Sequence, residues 1–260
     1  MKKAALIILI GSSLAQIATA QQPVKKMKQA TYSCFLHDFK VGEKFGTIFS
    51  RTIAVTGNGF QPVVFRISGT GNYTVTGTGQ NQPEFDAVFL YDGRPEDRSK
   101  TGIRDGGKTL VYNGKSSVNT DGSGLTYNPL LWGPAPARLK TGDFWEVEIT
   151  QPWELGGAGR QKVEVIDANP TTGLIRLKRQ GDGSGPFADD QAEMEVVNNR
   201  KRVRVKIKPG LNHWVGYTTF KNGIVISDEL VVTRQLTLTN DTITFSANQR
   251  QYILLNQMAE

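Results

Sequence analysis

The stretch HWVGYTTFKNGIVISDELVVTRQLTLTNDTITFSAN, residues 213–248, decides the fold class. Apolar and polar side chains alternate along most of it, which is the two-residue period of half-buried β-strands. Asn222-Gly223 favours a two-residue hairpin turn with left-handed backbone, which joins 217–220 to 224–227. The stretch therefore predicts consecutive antiparallel strands.

A second two-residue turn is predicted at 240–241, because Asn and Asp both tolerate the left-handed conformation. It sets Leu238 opposite Ile243 and Leu236 opposite Phe245 on one face, with threonines opposite one another on the other face. Both faces of this register are internally consistent.

The same alternation recurs over most of the chain, and helix-period apolar patterns are almost absent. We therefore expect an all-β protein, an antiparallel β-sandwich or open barrel, in two β units over 31–136 and 138–260. The proline-containing segment 128–139 is the predicted linker. The predicted strands cover 31–36, 46–55, 62–68, 72–76, 85–91, 108–113, 143–150, 160–167, 173–179, 190–197, 201–208, 213–220, 224–233, 234–239 and 242–248.

Residues 201–208 (KRVRVKIK) place four cations on one strand face, which taken alone resembles an anion-binding strip. A turn at Asn198-Asn199 would bring carboxylates opposite them, since cross-strand pairs of opposite charge contribute roughly 0.2–1 kcal/mol each. We interpret the strip as a neutralised, solvent-facing ladder rather than a binding site. Its predicted pairs are Glu195–Arg202, Glu193–Arg204 and Asp189–Lys208.

Residues 1–20 have the features of a secretory signal peptide: a short basic start, an apolar run and the small-x-small pattern Ala18-Thr19-Ala20. The apolar run is shorter than the roughly 20 residues that a bilayer span requires. Cleavage would leave a mature chain that begins at Gln21 with a polar lead-in, 21–30. A periplasmic or secreted location without a transmembrane segment is expected.

The single cysteine, Cys34, lies well past the predicted cleavage site, so neither a lipid anchor nor an intramolecular disulfide is expected. The chain has 31 Lys and Arg against 24 Asp and Glu, a net charge of +7 that falls to +5 without the two lysines of the signal. Solubility is the explanation that we favour for this modest positive charge. Nucleic acid is not expected as a partner, and lipopolysaccharide, acidic glycans or a membrane surface are the anionic partners that this compartment offers.

No residue pattern identifies a catalytic residue, and no cofactor is expected. The two histidines, His37 and His213, are too far apart in sequence for metal-ligand spacing. The loop 182–193 begins with Asp and ends with Glu, as a calcium loop does, but Pro186 and Phe187 break that pattern. No metal site is predicted, and the weak candidates for a looser one are Asp182, Asp189 and Asp190.

Two tryptophans, Trp132 and Trp153, lie in proline-containing loops rather than on an alternating strand face. Exposed rings there could stack on sugars or insert into lipid, which makes both of them ligand-binding candidates. The alternative, which we favour, is that they close the ends of the β-sheet by packing. Trp145 alternates with Val147 and Ile149 and is predicted to belong to the core.

The segment Leu139–Trp145 (LKTGDFW) resembles the L-K-x-G-D-x-W opening of a largely uncharacterised group of exported bacterial β-proteins. A V-x-V strand after a glycine-containing loop is matched by Val163-Glu164-Val165. The resemblance covers residues 139–180. It implies an envelope-located antiparallel β-fold and no particular activity.

These observations favour a non-enzymatic, exported envelope or secreted protein that binds a glycan, a lipid or a protein partner. The first alternative is a secreted polysaccharide hydrolase that uses paired carboxylates. The second is a structural subunit that pairs through exposed strand edges.

Overall fold

The computed structural model describes residues 35–77, 84–91, 108–111, 129–149, 158–185 and 192–258. These residues form one antiparallel sheet, in the order β4-β3-β2-β1-β11-β10-β9-β7-β6-β5, with β8 paired to β9. The elements are β1 Lys44–Gly57, β2 Val63–Gly77, β3 Glu84–Tyr91, β4 Lys108–Val111, α1 Pro129–Trp132, β5 Phe144–Ile149, β6 Ala158–Asn169, β7 Leu174–Ser184, β8 Glu193–Asn198, β9 Lys201–Lys221, β10 Ile224–Thr239 and β11 Thr244–Gln257. The all-β, antiparallel fold class is confirmed. Within the described ranges, no helix has the length and apolar character needed to cross a lipid bilayer.

The β9–β10 hairpin forms at the predicted turn. Asn222 and Gly223 have φ angles of 51° and 82°, and Lys221 pairs with Ile224. Two consecutive residues with positive φ are what a tight hairpin turn of this kind requires.

The register predicted for the β10–β11 hairpin is wrong by two residues, because the loop has four residues rather than two. Leu238 pairs with Phe245, not with Ile243. The Asn240 side-chain oxygen accepts hydrogen bonds from the backbone N–H groups of Thr242 (3.0 Å) and Ile243 (2.9 Å), which stabilises the longer loop. An even shift leaves each side chain on its predicted face.

The β8–β9 turn is displaced in the same way. Its positive φ angles belong to Asn199 (46°) and Arg200 (66°), so Glu195 pairs with Arg204 instead of Arg202. The face of each side chain is again as predicted, because the shift is even.

The predicted division into 31–136 and 138–260 does not follow the strand pairing. β1 pairs with β11 along 47–57 and 247–257, and Thr31–Glu260 form one compact unit. The last predicted strand ends at residue 248, whereas the β11 residues that pair with β1 are 247–257. The sequence pattern therefore does not indicate the β1–β11 pairing.

Two apolar clusters lie on one face of the sheet, which we call the core face; the opposite one is the outer face. The larger cluster contains aromatic side chains from most of the sheet and from α1, including Phe35, Phe39, Phe49, Tyr73, Phe85, Trp132, Trp214 and Phe220. The smaller cluster packs the β8–β9 hairpin against β1, β10 and β11 through Val55, Phe60, Met194, Val196, Val205, Leu236, Leu238, Phe245 and Ala247.

A polar band separates the two clusters on the core face. Along β11, Gln249 and Gln251 stand between Ala247 of the smaller cluster and Ile253 of the larger one. Arg234 Nη1 donates to Gln249 Oε1 at 2.9 Å, and Arg51 donates to the side-chain oxygen of Gln251. These hydrogen bonds offset part of the desolvation cost of burying the polar groups of the band.

Candidate functional site

The structure places the sequence-predicted site residues in different settings. The Trp132 side chain is fully buried (0% exposed), so it is not a surface platform for sugars or lipid. Asp182 is exposed and contacts His213. No group of three or more His, Cys, Asp or Glu side chains that could hold a metal ion occurs among the described residues. Three candidates lie outside those residues: Trp153, Asp189 and Asp190.

Trp132 closes the interior of the larger cluster, which agrees with the packing interpretation. Its ring makes edge-to-face contacts with Phe35 (5.8 Å between centroids) and Phe220 (5.3 Å). The Arg179 guanidinium lies 5.8 Å from the ring centroid, within the range of a cation–π contact. The residue therefore has a structural role in the core.

Hydrogen bonds from two side chains hold α1 in place. The Leu131 carbonyl accepts from Gln161 Nε2 at 2.8 Å, and the Trp132 carbonyl accepts from Trp145 Nε1 at 2.6 Å. Gln161 Oε1 in turn accepts from Trp214 Nε1 at 2.9 Å. These bonds satisfy carbonyls at the end of a helix too short to satisfy them internally.

A buried ion pair crosses the core face next to α1. Arg179 Nη2 lies 3.0 and 2.8 Å from the two Asp228 carboxylate oxygens, and Thr218 Oγ1 donates to Oδ1 at 2.6 Å. Arg179 is on β7 and Asp228 on β10, with β9 between them. Gly216 stands opposite Arg179 on β9, and a Cβ there would lie only 2.7 Å from Leu230 Cδ1, so the close packing at this position requires a glycine.

The outer face carries a row of side chains that runs straight across five strands. Arg250 on β11 pairs with Ala54 on β1 and with Thr233 on β10. Thr233 pairs with His213 on β9, and His213 pairs with Asp182 on β7. Because neighbouring strands are about 4.8 Å apart, the row from Ala54 to Asp182 spans about 19 Å.

A β-bulge in β9 shapes the surface beside this row. Arg234 pairs with Asn212, but Leu236 pairs with Pro209, so β9 has one extra residue there. Such a bulge bends its strand and changes the direction of nearby side chains. Leu211, within the bulge, is 64% exposed, which puts an apolar side chain beside an otherwise polar row.

The row and the bulge line a depression of about 620 Å³ on the outer face. A second depression of about 440 Å³ adjoins it and shares Gln235 and Asn248. Hydroxyl and amide side chains of Asn58, Thr237 and Ser246 line the second depression. We call the two depressions together the outer groove.

Most residues that line the outer groove have polar or charged side chains, although the exposed lining of the larger depression is more apolar than polar. Among the described residues of the lining, Asp182 is the one carboxylate. Asp182 Oδ1 lies 2.8 Å from His213 Nδ1. Since an ionised carboxylate only accepts hydrogen bonds, this contact assigns the proton to Nδ1 and leaves Nε2 for a ligand. The exposed Arg250 forms no ion pair with a described residue, so its guanidinium is available to a ligand.

Tyr252 borders the groove on β11, and we expect it to make stability pH-dependent in alkali. Its hydroxyl donates to Glu229 Oε1 at 3.1 Å. Burial, followed by that hydrogen bond and the Glu229 charge, raises the pKa of Tyr252 above its ordinary value of 10.0. The neutral phenol is thus favoured in the folded state, so its contribution is complete below pH 10 and lost as pH rises through the raised pKa. Phenolate absorbance should place this titration above that of a free tyrosine, and Tyr252→Phe should remove it; an unshifted titration would contradict the expectation.

Sequence patterns missed most of the groove. Its residues are far apart in sequence and meet only through the registers of five strands. Arg250 lay outside every predicted strand, and the bulge that exposes Leu211 had no signal beyond Pro209-Gly210. The sequence pattern predicts His213 at the start of a strand and does not indicate its partner Asp182.

Comparison with known proteins gives no family for the chain. No protein-family model matches it, and no curated protein matches it. A solved structure described as lipid-protein interactions in lipovitellin is similar with a TM-score of 0.40 and 12% identity, over 85% of this chain and 26% of that chain. The attachment invasion locus protein Ail of Yersinia pestis is similar with a TM-score of 0.23 and 10% identity, over 84% of this chain and 100% of that chain. The chain thus spans about a quarter of the lipovitellin chain, and likenesses with TM-scores this low do not bear on function.

Proposed function

We propose that the protein is a non-enzymatic binding protein that holds a glycan in its outer groove, after export directed by residues 1–20. The observation that carries this proposal is the cross-strand row that contains Arg250, Thr233 and the Asp182–His213 pair. It presents a series of donors and acceptors on a rigid sheet, at the side of an open depression.

The size and lining of the groove support a hydrophilic ligand. Ligand sites commonly have volumes of about 300–1,000 Å³, and the larger depression of about 620 Å³ lies within that range. Amide, hydroxyl, imidazole and guanidinium groups can donate to or accept from sugar hydroxyls in many combinations. Exposed Leu211 offers an apolar contact for the face of a sugar ring.

The same lining favours binding over hydrolysis. Glycosidases of the two-carboxylate type need an acid and a base or nucleophile, about 5–10 Å apart, on either side of the scissile bond. Within the part of the chain that the structure describes, Asp182 is the one carboxylate that lines the groove, and it contacts His213. The polysaccharide hydrolase is therefore the weaker proposal for this surface.

Affinity measurements on the full chain test the proposal, with dextran, xylan, alginate and dextran sulfate as probes. We expect at least one probe to bind, and we expect Arg250→Ala to weaken that binding about ten- to a hundredfold and His213→Ala about two- to tenfold. The first range follows from the roughly 1.5–3 kcal/mol of a hydrogen bond to a charged group, and the second from the roughly 0.5–1.5 kcal/mol of a neutral one. Arg66→Ala is the matched control, because Arg66 is exposed on the outer face but does not line the groove. Unchanged affinity in both groove variants, or no binding of any probe, would overturn the proposal.

A further inference from the structure

The β8–β9 hairpin carries a concentration of positive charge at one end of the outer groove. From Glu193 to Lys208 the described chain has six Lys and Arg residues and two Asp and Glu residues. Four of the cations, at 202, 204, 206 and 208, alternate along the outer face of β9 and are exposed.

Two of these four cations are neutralised within the hairpin. Arg202 lies 3.2 Å from Glu195, and Arg204 lies 3.7 Å from Glu193. Two of the three predicted pairs thus form, although the displaced register makes them diagonal rather than direct neighbours. The third predicted pair, Asp189–Lys208, involves a residue outside the described ranges. Ion pairs within the hairpin therefore neutralise two of the four cations on this face of β9.

Lys206 and Lys208 differ from the two arginines in this respect. Neither lysine forms an ion pair with a described residue, although Glu193 stands directly opposite Lys206. On their other side they face the hydroxyl side chains of Thr239 and Thr237 on β10. We call Lys206 and Lys208 the lysine pair.

The lysine pair is continuous with the outer groove. Thr237, the partner of Lys208, lines the second depression, as does Gly210 two residues further along β9. The β10 partners of Lys206 and His213 are Thr239 and Thr233, six residues apart, so at about 3.3 Å per residue the two side chains are about 20 Å apart along the sheet. The groove thus has Arg250 in one depression and the lysine pair beside the other.

We infer that the ligand of the groove is a polyanionic glycan, one whose sugars carry carboxylate or sulfate groups, which are held by Arg250 and by the lysine pair. This inference rests on the proposed glycan-binding function and specifies its substrate class. The groove binds the uncharged hydroxyls through its amides and hydroxyls, and the cations at its two ends bind the anionic groups. Attraction of this kind acts over the length of the polymer and weakens with salt.

The surface between the cations fits a glycan better than a membrane. Interfacial membrane binding needs apolar side chains that enter the acyl region in addition to cations. Between Arg250 and the lysine pair, the outer face presents Thr237, Gln235, Ser246 and Asn248, and Leu211 alone is a large exposed hydrophobic there.

Binding of alginate and dextran sulfate, compared with neutral dextran, tests the inference over a series of salt concentrations. We expect the two anionic polymers to bind the full chain more tightly than dextran, with an affinity that falls as salt rises. The double variant Lys206→Ala/Lys208→Ala should lower the affinity for anionic polymers about tenfold and reduce the salt dependence. Lys206→Arg/Lys208→Arg should restore both, since it preserves the charges.

The control for net charge is Arg66→Ala/Lys221→Ala, which removes two exposed cations from the outer face outside the groove. An equal loss of affinity in this control would overturn the inference, because binding would then depend on overall charge. If dextran binds as tightly as alginate and its binding depends on Arg250, the glycan-binding function stands and the inference of a polyanionic ligand is overturned. Tighter salt-sensitive binding to phosphatidylglycerol vesicles or to single-stranded DNA than to either anionic glycan would also overturn it.

Discussion

Asp228→Ala is expected to lower the free energy of unfolding by about 3–5 kcal/mol, because it leaves the Arg179 guanidinium buried without its counter-ion. The two residues are 4% and 2% exposed, and Arg179 Nη2 contacts both carboxylate oxygens. Thr218 would lose its acceptor as well. Urea denaturation followed by circular dichroism measures the change.

A double variant provides the control for this prediction. Replacement of a buried ion pair by apolar side chains of similar volume is often neutral or stabilising, so Arg179→Met/Asp228→Leu should unfold much closer to the wild type than Asp228→Ala does. A loss below about 1 kcal/mol in Asp228→Ala would show that the charges are not held out of water as the structure has them.

Trp132→Ala is the second substitution with a large expected effect. It should cost about 3–5 kcal/mol, because it removes a fully buried indole and leaves a cavity among Phe35, Phe220 and Arg179. Trp132→Phe, which keeps a ring in the cavity, should cost less. The denaturant midpoint measures both.

Glycan affinity separates this structural role of Trp132 from the ligand-binding role considered for it. Under conditions where Trp132→Ala remains folded, we expect it to bind alginate as the wild type does, because Trp132 does not line the outer groove. Wild-type stability together with lost affinity would reverse that assignment.

Local turn chemistry predicts some of the registers and misses others for a physical reason. Asn222-Gly223 gives the right turn, because both residues adopt left-handed backbone readily. At the β8–β9 turn one of the two residues with left-handed backbone is Arg200, and an arginine in the sequence does not indicate that conformation. In both displaced hairpins the face of each side chain is nevertheless predicted correctly, because burial of one face permits only even shifts of register.

The extent of β11 was missed because its middle is polar on the core face. Gln249 and Gln251 interrupt the apolar alternation on which strand prediction depends, and they are tolerated because Arg234 and Arg51 pair with them. Because the predicted strand ends before residue 250, the sequence pattern indicates neither Arg250 nor the cross-strand row to which it belongs. The residues of the outer groove are brought together by the registers of strands that are far apart in sequence. Residue patterns within single strands can therefore predict the strands but not which side chains lie next to one another.

The pairing of β1 with β11 also orders events in time. During synthesis β1 can pair early with β2, but its other edge stays open until residues 247–257 have been made. If the chain is exported through residues 1–20 as proposed, that edge must be kept from foreign strands over nearly the whole passage. Contacts so distant in sequence slow folding, so the sheet is completed only when its last strand arrives.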